Sequence, residues 1–265
     1  MVSLAPMVSL DKEAFKKQIH TCGYALVPDV LSPDMTAALR EEVTAGIHKE
    51  AEYHGRTDYS DFAMVLLCSL YGGSFLKAFE VDGLIQPFNW ILGDNCIVYA
   101  YTSSSMPPRS GNYSCRIHVD CPRLIPGYIT NMGGMMLLDD LTEENGATFF
   151  LPGSQLTAEP PDEEYFFANA KRVLGKAGSV FFFNARLWHA GGPNNTGQWR
   201  HTLGINMCRP YMKQRLDIPR AMAHMDLSSV PRRTLQKLGF LSQVPASYDE
   251  YYAPMEFRKF QQAPE

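Results

Sequence analysis

The sequence predicts a mainly β domain with helical support, and the order of its patterns leads to this fold class. Amphipathic helical patterns dominate up to about residue 92, whereas short apolar runs punctuated by Gly, Pro, Asn and Asp dominate from residue 95. Short strands separated by such turn residues are typical of a sandwich or barrel. No repeat or linker divides the chain, so residues 1–265 are expected to form a single domain, a β core with helices on one face.

The helices are predicted from capping residues and apolar spacing. In residues 11–22, Phe15 and Ile19 share one face, and Gly23 is the expected stop. After a short strand, Ser32 is placed to cap a second helix. An apolar stripe at every fourth position of this helix comprises Met35, Leu39, Val43 and Ile47. Two further stretches are expected to be helical or mixed, residues 61–70 and 74–92.

The strands are predicted from apolar runs of strand length. The clearest runs are residues 96–101, 134–138, 148–151 and 179–183. Residues 1–10 are apolar but lack a basic segment and a cleavage site, so they are interpreted as a leader rather than a secretory signal. The tail, residues 210–265, is rich in Pro, Met and Tyr and is expected to form a lid or an interface.

Composition excludes several classes of protein. The formal charge is −4, from 24 basic and 28 acidic residues that are well mixed, so nucleic-acid binding is not expected. No apolar run reaches the roughly 18–20 residues that span a bilayer, so no membrane association is expected. The six cysteines form no Cys-x-x-Cys pair, which favours reduced thiols in a cytoplasmic protein over disulfides or a zinc knuckle.

The strongest functional signal is the tripeptide His118-Val119-Asp120 together with the distant His189. Residues i and i+2 of a strand point to the same side, so His118 and Asp120 can approach one metal ion. His189 follows a predicted strand and precedes a glycine turn, which leaves its ring free to face a cavity. Although His-x-Asp also occurs by chance, two imidazoles and one carboxylate form the facial ligand set of non-haem iron(II). The sequence therefore predicts an iron site with positions open for other molecules.

Arg200 strengthens this interpretation. It follows a turn at residues 194–198, so a hairpin would place it on a strand beside His189. A guanidinium offers a planar fork for a carboxylate, and an Arg inside a barrel needs such a partner. Thr202 would share its face and add a hydroxyl. The alternative is a surface Arg in a hairpin.

Four motifs in order carry a resemblance to a known family. The family opens with a helix, a strand and a helix cap, and it has a proximal His-x-Asp pair, a middle signature and a distal His followed by an Arg. The matching residues are 15–32, 118–120, 138–148 with 151–154, and 188–194 with Arg200. On these motifs the chain resembles the phytanoyl-CoA dioxygenase family of iron(II)/2-oxoglutarate oxygenases over roughly residues 12–212.

The resemblance implies a fold and a reaction class. The fold is a double-stranded β-helix, a cupin-like jelly roll with N-terminal flanking helices. The cofactor is iron(II), held by His118, Asp120 and His189, and the cosubstrates are 2-oxoglutarate, whose far carboxylate Arg200 would hold, and dioxygen. Ascorbate is a candidate reductant. The outcome is oxidation of a substrate C–H bond as 2-oxoglutarate becomes succinate and carbon dioxide; hydroxylation is the default, and relatives also desaturate, epoxidise or form rings.

One position departs from the family pattern, and another bears on the type of reaction. Many members have Gln three residues before the proximal His, where this chain has Cys115, a poorer donor. Other contacts must then hold the keto acid end of 2-oxoglutarate, and Thr148 is one candidate. Asp120 stands where iron halogenases have a small residue, which argues against halogenation because chloride needs the vacant position.

The substrate side is less well defined by sequence. Residues 102–113, including Met106, form a polar segment that reads equally well as a lid or a surface loop. Tyr99, Tyr101 and Met135 are candidate cavity residues, with packing in the core as the alternative. Arg116 is a candidate for attracting an anionic substrate, although a surface arginine is the commoner outcome.

Three hypotheses follow. The first is an oxygenase acting on a small or medium metabolite of secondary metabolism, as a monomer or homodimer. The second is a non-redox, metal-dependent cupin-like enzyme that would not need Arg200. The third is a catalytically silent protein that binds 2-oxoglutarate, which the loss of Gln at Cys115 would favour. The sequence determines neither the substrate nor the type of oxidation.

Overall fold

The computed structural model describes residues 11–53, 55 and 64–258. The predicted leader, residues 1–10, lies outside this part, as do the start of the predicted helix 61–70 and the last residues of the tail. The described helices are α1 Lys12–Cys22, α2 Pro33–Tyr53, α3 Gly73–Lys77, α4 Asp82–Leu92, α5 Glu163–Asn169, α6 Ile218–Ala221, α7 Arg232–Lys237 and α8 Tyr248–Tyr252. Among these residues, no helix combines the length and the apolar character that crossing a bilayer requires.

The strands are short, as predicted. They are β1 Tyr24–Val27, β2 Ile97–Met106, β3 Asn131–Leu137, β4 Phe149–Phe150, β5 Lys171–Arg172, β6 Val180–Asn184, β7 His189–Ala190 and β8 Arg200–Cys208. The single-turn 3-10 helices are Cys68–Tyr71, Ala78–Glu80, Tyr113–Cys115, Ser154–Leu156 and Met255–Phe257. The predicted helical stretch 74–92 is therefore divided between α3, a 3-10 turn and α4.

Two antiparallel sheets form the β core. The larger sheet has the order β1-β6-β3-β8-β2, and the smaller has the order β5-β4-β7. An isolated antiparallel bridge between His118 and His189 adds one more row to the smaller sheet next to β7. Strands that are distant in sequence are thus neighbours in space, as in the predicted jelly roll.

Alternation along the larger sheet separates a packed face from a cavity face. On β6, Phe182 is fully buried and contacts Phe15 of α1 and Phe88 of α4 edge to face. Its neighbours Phe181 and Phe183 point to the opposite face and line a cavity. Helices therefore cover one face of this sheet, while the other face is available for a site.

The first helix begins and ends where the sequence predicts, and the second begins at the predicted cap. Asp11 accepts a hydrogen bond from the backbone of Ala14, and Gly23 ends α1 with φ of 85°, a left-handed conformation that favours glycine. The Ser32 hydroxyl accepts from the backbone N–H of Met35 at the start of α2. The buried part of the predicted stripe on α2 consists of Leu39, Val43 and Ile47.

The described tail contributes to the core as well as to the surface. Ile218, Met222 and Leu238 are buried in the main hydrophobic cluster. Lys237 is fully buried, and its ammonium group donates to Asn89 Oδ1 at 2.7 Å and to the Asp94 carbonyl at 2.6 Å. A detached lid would not bury these groups, so residues 218–238 are part of the packed structure.

A buried histidine ties α2 to the larger sheet. His201 is 4% exposed, its Nδ1 lies 2.7 Å from Ser105 Oγ, and its backbone N–H donates to Asp139 Oδ2 at 2.7 Å. The other oxygen of Asp139 pairs with Arg40 of α2 at 2.9 Å. Burial lowers the pKa of His201 from 6.5 to about 4, although Asp139 opposes the shift.

From the lowered pKa of His201 we predict that the metal-free protein loses folding stability as the pH falls. The folded pKa lies near 4 and the ordinary value is 6.5, so the unfolded chain binds more protons between these limits and the free energy of unfolding falls as pH drops through that window. The variant His201→Gln should show a shallower fall in urea denaturation at several pH values. The exposed His224→Gln is the control and should keep the native dependence. Parallel curves for the native protein and His201→Gln would contradict the assignment.

Candidate active site

Backbone pairing brings the two predicted histidine ligands side by side. The His118 N–H donates to the His189 carbonyl at 2.9 Å, and the His189 N–H donates to the His118 carbonyl at 3.0 Å. Asp120 lies two residues beyond His118 on the same extended segment. One donor atom from each of the three side chains lies within 4.8 Å of the others, so this group could hold a metal ion.

Hydrogen bonds fix which imidazole nitrogen faces the centre of this group. His118 Nδ1 lies 2.8 Å from the Arg116 carbonyl, and His189 Nδ1 lies 2.9 Å from the Leu187 carbonyl. A carbonyl only accepts, so each Nδ1 must carry the hydrogen and each Nε2 keeps its lone pair. Asp120 Oδ1 lies 3.9 Å from both Nε2 atoms, which completes a set of three donors turned toward one point.

The protonation state of His118 suits metal binding. Burial, followed by the proximity of His189, lowers the pKa of His118 from 6.5 to about 4. The imidazole is therefore neutral near neutral pH, and no proton has to be displaced from Nε2 before it can coordinate.

Asn206 orients the carboxylate of this group. Its Nδ2 donates to Asp120 Oδ2 at 3.3 Å, so the oxygen that does not face the histidines is held by an amide. Its Oδ1 in turn accepts from Asn131 Nδ2 at 3.4 Å. Asn206 was not predicted from the sequence. It is an even number of residues from Arg200 and Thr202 on β8, so its side chain could have been expected on the same face of the strand.

The three residues lie at one side of a cavity of about 180 Å³. Phe181 and Phe183 provide an apolar wall, and Gly133 leaves room for Phe183, whose ring lies 2.3 Å from where a Cβ on Gly133 would be. The hydroxyl-bearing residues on the cavity surface include Ser104, Thr148 and Thr202. The cavity surface thus combines hydroxyl groups with apolar side chains, which is typical of a small-molecule site.

Arg200 lies buried behind Ser104 and Thr202, two residues that line the cavity. It is 1% exposed, and its guanidinium donates to the Gly146 carbonyl at 2.8 Å, to Thr202 Oγ1 at 3.1 Å and to the Ser104 carbonyl at 3.3 Å. A longer contact of 3.4 Å joins Nε to the Asn145 carbonyl. These contacts hold the plane of the fork in one orientation.

No carboxylate within the described part of the chain forms an ion pair with Arg200. The nearest acidic influence is Asp139, which is already paired with Arg40 and with the backbone of His201. Burial lowers the pKa of Arg200 from 12.5 to about 10, which still leaves the group charged at neutral pH. A buried cation that contacts only neutral acceptors is a site where an anion would be strongly favoured.

The hydroxyls near Arg200 have defined roles. Thr202 accepts from Arg200 and donates to the Ser104 carbonyl at 2.7 Å, so it links the guanidinium to the cavity surface. Thr148 donates weakly to Met135 Sδ at 3.7 Å, and both residues line the cavity. Cys115 is not among the lining residues, whereas its neighbour Ser114 is.

The expectation that Tyr101 lines the cavity is wrong. Its side chain is fully buried on the helix-covered face, where the hydroxyl donates to the Phe75 carbonyl at 3.0 Å. The pairing of β2 with β8 shifts register between Val98 and Ala100. Tyr99, the residue at this register shift, does line the cavity. The bulge therefore separates two tyrosines that a regular strand would place on one face.

The lid interpretation of residues 102–113 is also wrong for its first half. Residues 102–106 are the end of β2, paired in register with β8. Met106 is fully buried, and it packs closely against Gly146 and Gly191 instead of covering the cavity. The 3-10 turn Tyr113–Cys115 brings Tyr113 to the cavity surface.

The remaining candidates divide between the cavity and the surface. Met135 lines the cavity, as expected. Arg116 is exposed and is not among the lining residues; it acts through its carbonyl, which accepts from His118. Arg215, which sequence reasoning did not consider, provides the cationic side chain of the cavity surface. No pattern in the irregular tail singles it out.

The Asn206 contact predicts a loss of metal affinity. Removal of an outer hydrogen-bond partner of a metal ligand typically weakens metal binding about 10–100-fold, and we expect this for Asn206→Ala. Anaerobic iron(II) titration would measure it. The control is Asn169→Ala, an equal loss of an exposed amide on α5, which should leave affinity unchanged. Equal affinities of Asn206→Ala and the native protein would rule out this role.

Comparison with known proteins agrees with this geometry. The family model for phytanoyl-CoA dioxygenase (PhyH) matches residues 19–202. The uncharacterized protein Rv1501 of Mycobacterium tuberculosis is 32% identical over 250 residues, which cover 91% of this chain and 92% of the relative.

Two solved structures share the fold at low sequence identity. One is the non-haem α-ketoglutarate-dependent epimerase SnoN from nogalamycin biosynthesis, with a TM-score of 0.60 and 18% identity, covering 75% of this chain and 83% of that one. The other is the non-haem monooxygenase ThoJ in its nickel complex, with a TM-score of 0.61 and 20% identity, covering 77% and 80%. The predicted fold class is thus confirmed. The chain belongs to the phytanoyl-CoA dioxygenase family and is a 2-oxoglutarate-dependent non-haem iron oxygenase.

Proposed function

We propose that this oxygenase hydroxylates, or otherwise oxidises, a C–H bond of a small or medium metabolite in secondary metabolism. The observation that carries the proposal is the buried Arg200, which contacts only neutral acceptors within the described chain and lies under the cavity that holds the three-donor group. The cationic fork and the metal-binding group together suit one small dicarboxylate that also coordinates metal.

The metal would be iron(II), held by His118 Nε2, Asp120 Oδ1 and His189 Nε2. Nitrogen and oxygen donors suit this ion, and three protein ligands leave positions for 2-oxoglutarate and dioxygen. When bound, iron and 2-oxoglutarate together supply the oxidising chemistry, in which dioxygen, 2-oxoglutarate and a C–H bond yield an alcohol, succinate and carbon dioxide. Asp120 occupies the position that a halogenase would leave vacant, which favours oxygenation.

The chain itself binds and orients the cosubstrate. Arg200 would pair with the carboxylate remote from the metal, because its fork is held in place by Gly146 and Thr202. Thr202 is placed to add a hydroxyl at the same end. Near the metal, Thr148 and Ser114 line the cavity, and they are our candidates for the contacts that Gln makes in relatives with that residue in place of Cys115.

The cavity wall would position the substrate and limit the access of water. Phe181, Phe183 and Met135 present apolar surface beside the histidines, and the Phe183 ring lies 5.2 Å from the His189 ring. An apolar wall of this kind favours a C–H bond over a polar group near the metal. SnoN takes part in nogalamycin biosynthesis, and this analogy of fold supports a substrate from secondary metabolism.

The decisive experiment is iron-dependent conversion of 2-oxoglutarate to succinate by the purified protein, with ascorbate as reductant. Slow turnover is expected even without substrate. The charge-transfer band that forms when 2-oxoglutarate joins the iron(II) protein anaerobically would report cosubstrate binding directly. Absence of both band and turnover would exclude the proposal, and a band without turnover of any metabolite would favour the silent binding protein.

Replacement of Arg200 separates this function from that of a non-redox cupin-like metal enzyme. Arg200→Gln should weaken 2-oxoglutarate binding by about 2–5 kcal/mol, the usual effect of removing one partner from a buried charged pair, and should leave iron(II) affinity almost unchanged. Arg123→Gln is the control, because Arg123 is exposed and outside this cavity. Full activity of Arg200→Gln on the physiological substrate would instead indicate a reaction without 2-oxoglutarate.

A further inference from the structure

Arg215 stands apart among the ionisable side chains of the cavity. The ionisable residues that line it within the described chain are the three candidate ligands, two tyrosines and this arginine. Arg215 belongs to the irregular segment that follows β8, and it is exposed, unlike Arg200. It therefore lies at the solvent side of the cavity, while Arg200 lies at its buried end.

The backbone around Arg215 is fixed by contacts with the start of β2. The Arg215 N–H donates to the Tyr99 carbonyl at 3.0 Å. The neighbouring Gln214 donates from Nε2 to the Val98 carbonyl at 2.7 Å and to the Leu238 carbonyl at 3.1 Å. These contacts hold the segment against the cavity rim, so the position of Arg215 does not depend on its side chain.

The guanidinium of Arg215 has no hydrogen-bond or ion-pair partner within the described chain. Arg209, in the same segment, differs: it donates to the carbonyls of Ile129, Leu92 and Ile91 and has a structural role. Arg215 has no comparable structural contact. Arg215 lines the cavity, so its unpaired charge is available to pair with a ligand there.

Tyr113 adds a second free polar group at the same place. Its hydroxyl has no hydrogen-bond partner within the described chain, and the residue lines the cavity. Burial raises the pKa of Tyr113, with Arg215 opposing the shift and Asp120 adding to it. The phenol is thus within electrostatic reach of both the arginine and the metal-binding group.

With iron(II) and 2-oxoglutarate bound, the charged groups of the site would sum to one net positive charge. Iron(II) brings two positive charges and Arg200 one, while Asp120 brings one negative charge and 2-oxoglutarate two. These cancel. Arg215 is then the uncompensated cation of the cavity, and one negative charge on the substrate would neutralise it.

We propose that the substrate carries a single carboxylate, which pairs with Arg215 and accepts a hydrogen bond from the Tyr113 hydroxyl. This inference rests on the proposed function and names its substrate class. Anchoring the acid at the rim would leave the hydrocarbon part of the substrate directed toward the metal-binding group and its apolar wall. A phosphate monoester, with up to two charges, would overcompensate the single arginine.

The test uses matched probes that differ in charge. Phenylacetate and hexanoate are compared with phenylacetamide and hexanamide, and phenyl phosphate is the dianionic arm. Binding is measured by saturation-transfer NMR on the metal-free protein, and by the shift of the charge-transfer band at saturating 2-oxoglutarate. The NMR readout needs neither iron nor turnover, so it is independent of whether the proposed oxygenase reaction occurs.

The expected result is that both acids bind about tenfold or more tightly than their amides, and that Arg215→Gln removes this preference. Arg215→Lys should retain part of it, because the charge remains while the planar fork is lost. Tyr113→Phe should weaken the acids and not the amides. Arg220→Gln, a loss of equal charge at an exposed residue outside the cavity, should behave as the native protein.

Each other outcome counts against the proposal. Equal binding of acids and amides, no binding of either acid, or an acid preference that survives in Arg215→Gln would overturn it, and tighter binding of phenyl phosphate would replace the carboxylate by a phosphate. Loss of the charge-transfer band on adding an acid would show displacement of 2-oxoglutarate from Arg200, which also overturns it. If acids bind as expected but succinate never forms, the proposed function fails and the anion site stands.

Discussion

The two backbone hydrogen bonds between His118 and His189 are the interaction on which the site depends. They add the segment of His118 to the smaller sheet beside β7, and by doing so they set two imidazoles next to each other. Asp120 lies two residues further along the chain, and its second oxygen is held by Asn206. The metal-binding geometry is thus a consequence of sheet formation, and side-chain packing only refines it.

A second constraint is the burial of charge under the cavity. Arg200 is desolvated without a carboxylate partner in the described chain, an arrangement that costs stability in the free protein. The chain offsets part of this cost with three neutral acceptors, from Gly146, Thr202 and Ser104. A bound carboxylate would remove much of the remaining cost, which would make the site selective for an anion. Arg215 at the rim also has no carboxylate partner within the described chain, but its charge is exposed to solvent and carries no comparable cost.

Sequence reasoning identified the parts of the site that follow from periodicity and motif order. The candidate ligands, Arg200, the helix stop at Gly23 and the helix cap at Ser32 were all identified from local sequence patterns. Tyr101 was assigned to the wrong face because a bulge after Val98 changes which residues of β2 face the cavity. No residue type in that stretch indicates a bulge. Arg215 was missed for a different reason: an irregular segment is positioned by tertiary contacts, which have no period in the sequence.

The pairing of His118 with His189 also has a consequence for how the enzyme matures. The two histidines lie 71 residues apart along the chain, so an ion bound by both would require that the chain be synthesised past His189 and that the smaller sheet be paired. Metal binding would then be a late step that follows folding of this part of the chain. A bound ion would also cross-link the two segments, in addition to their backbone hydrogen bonds.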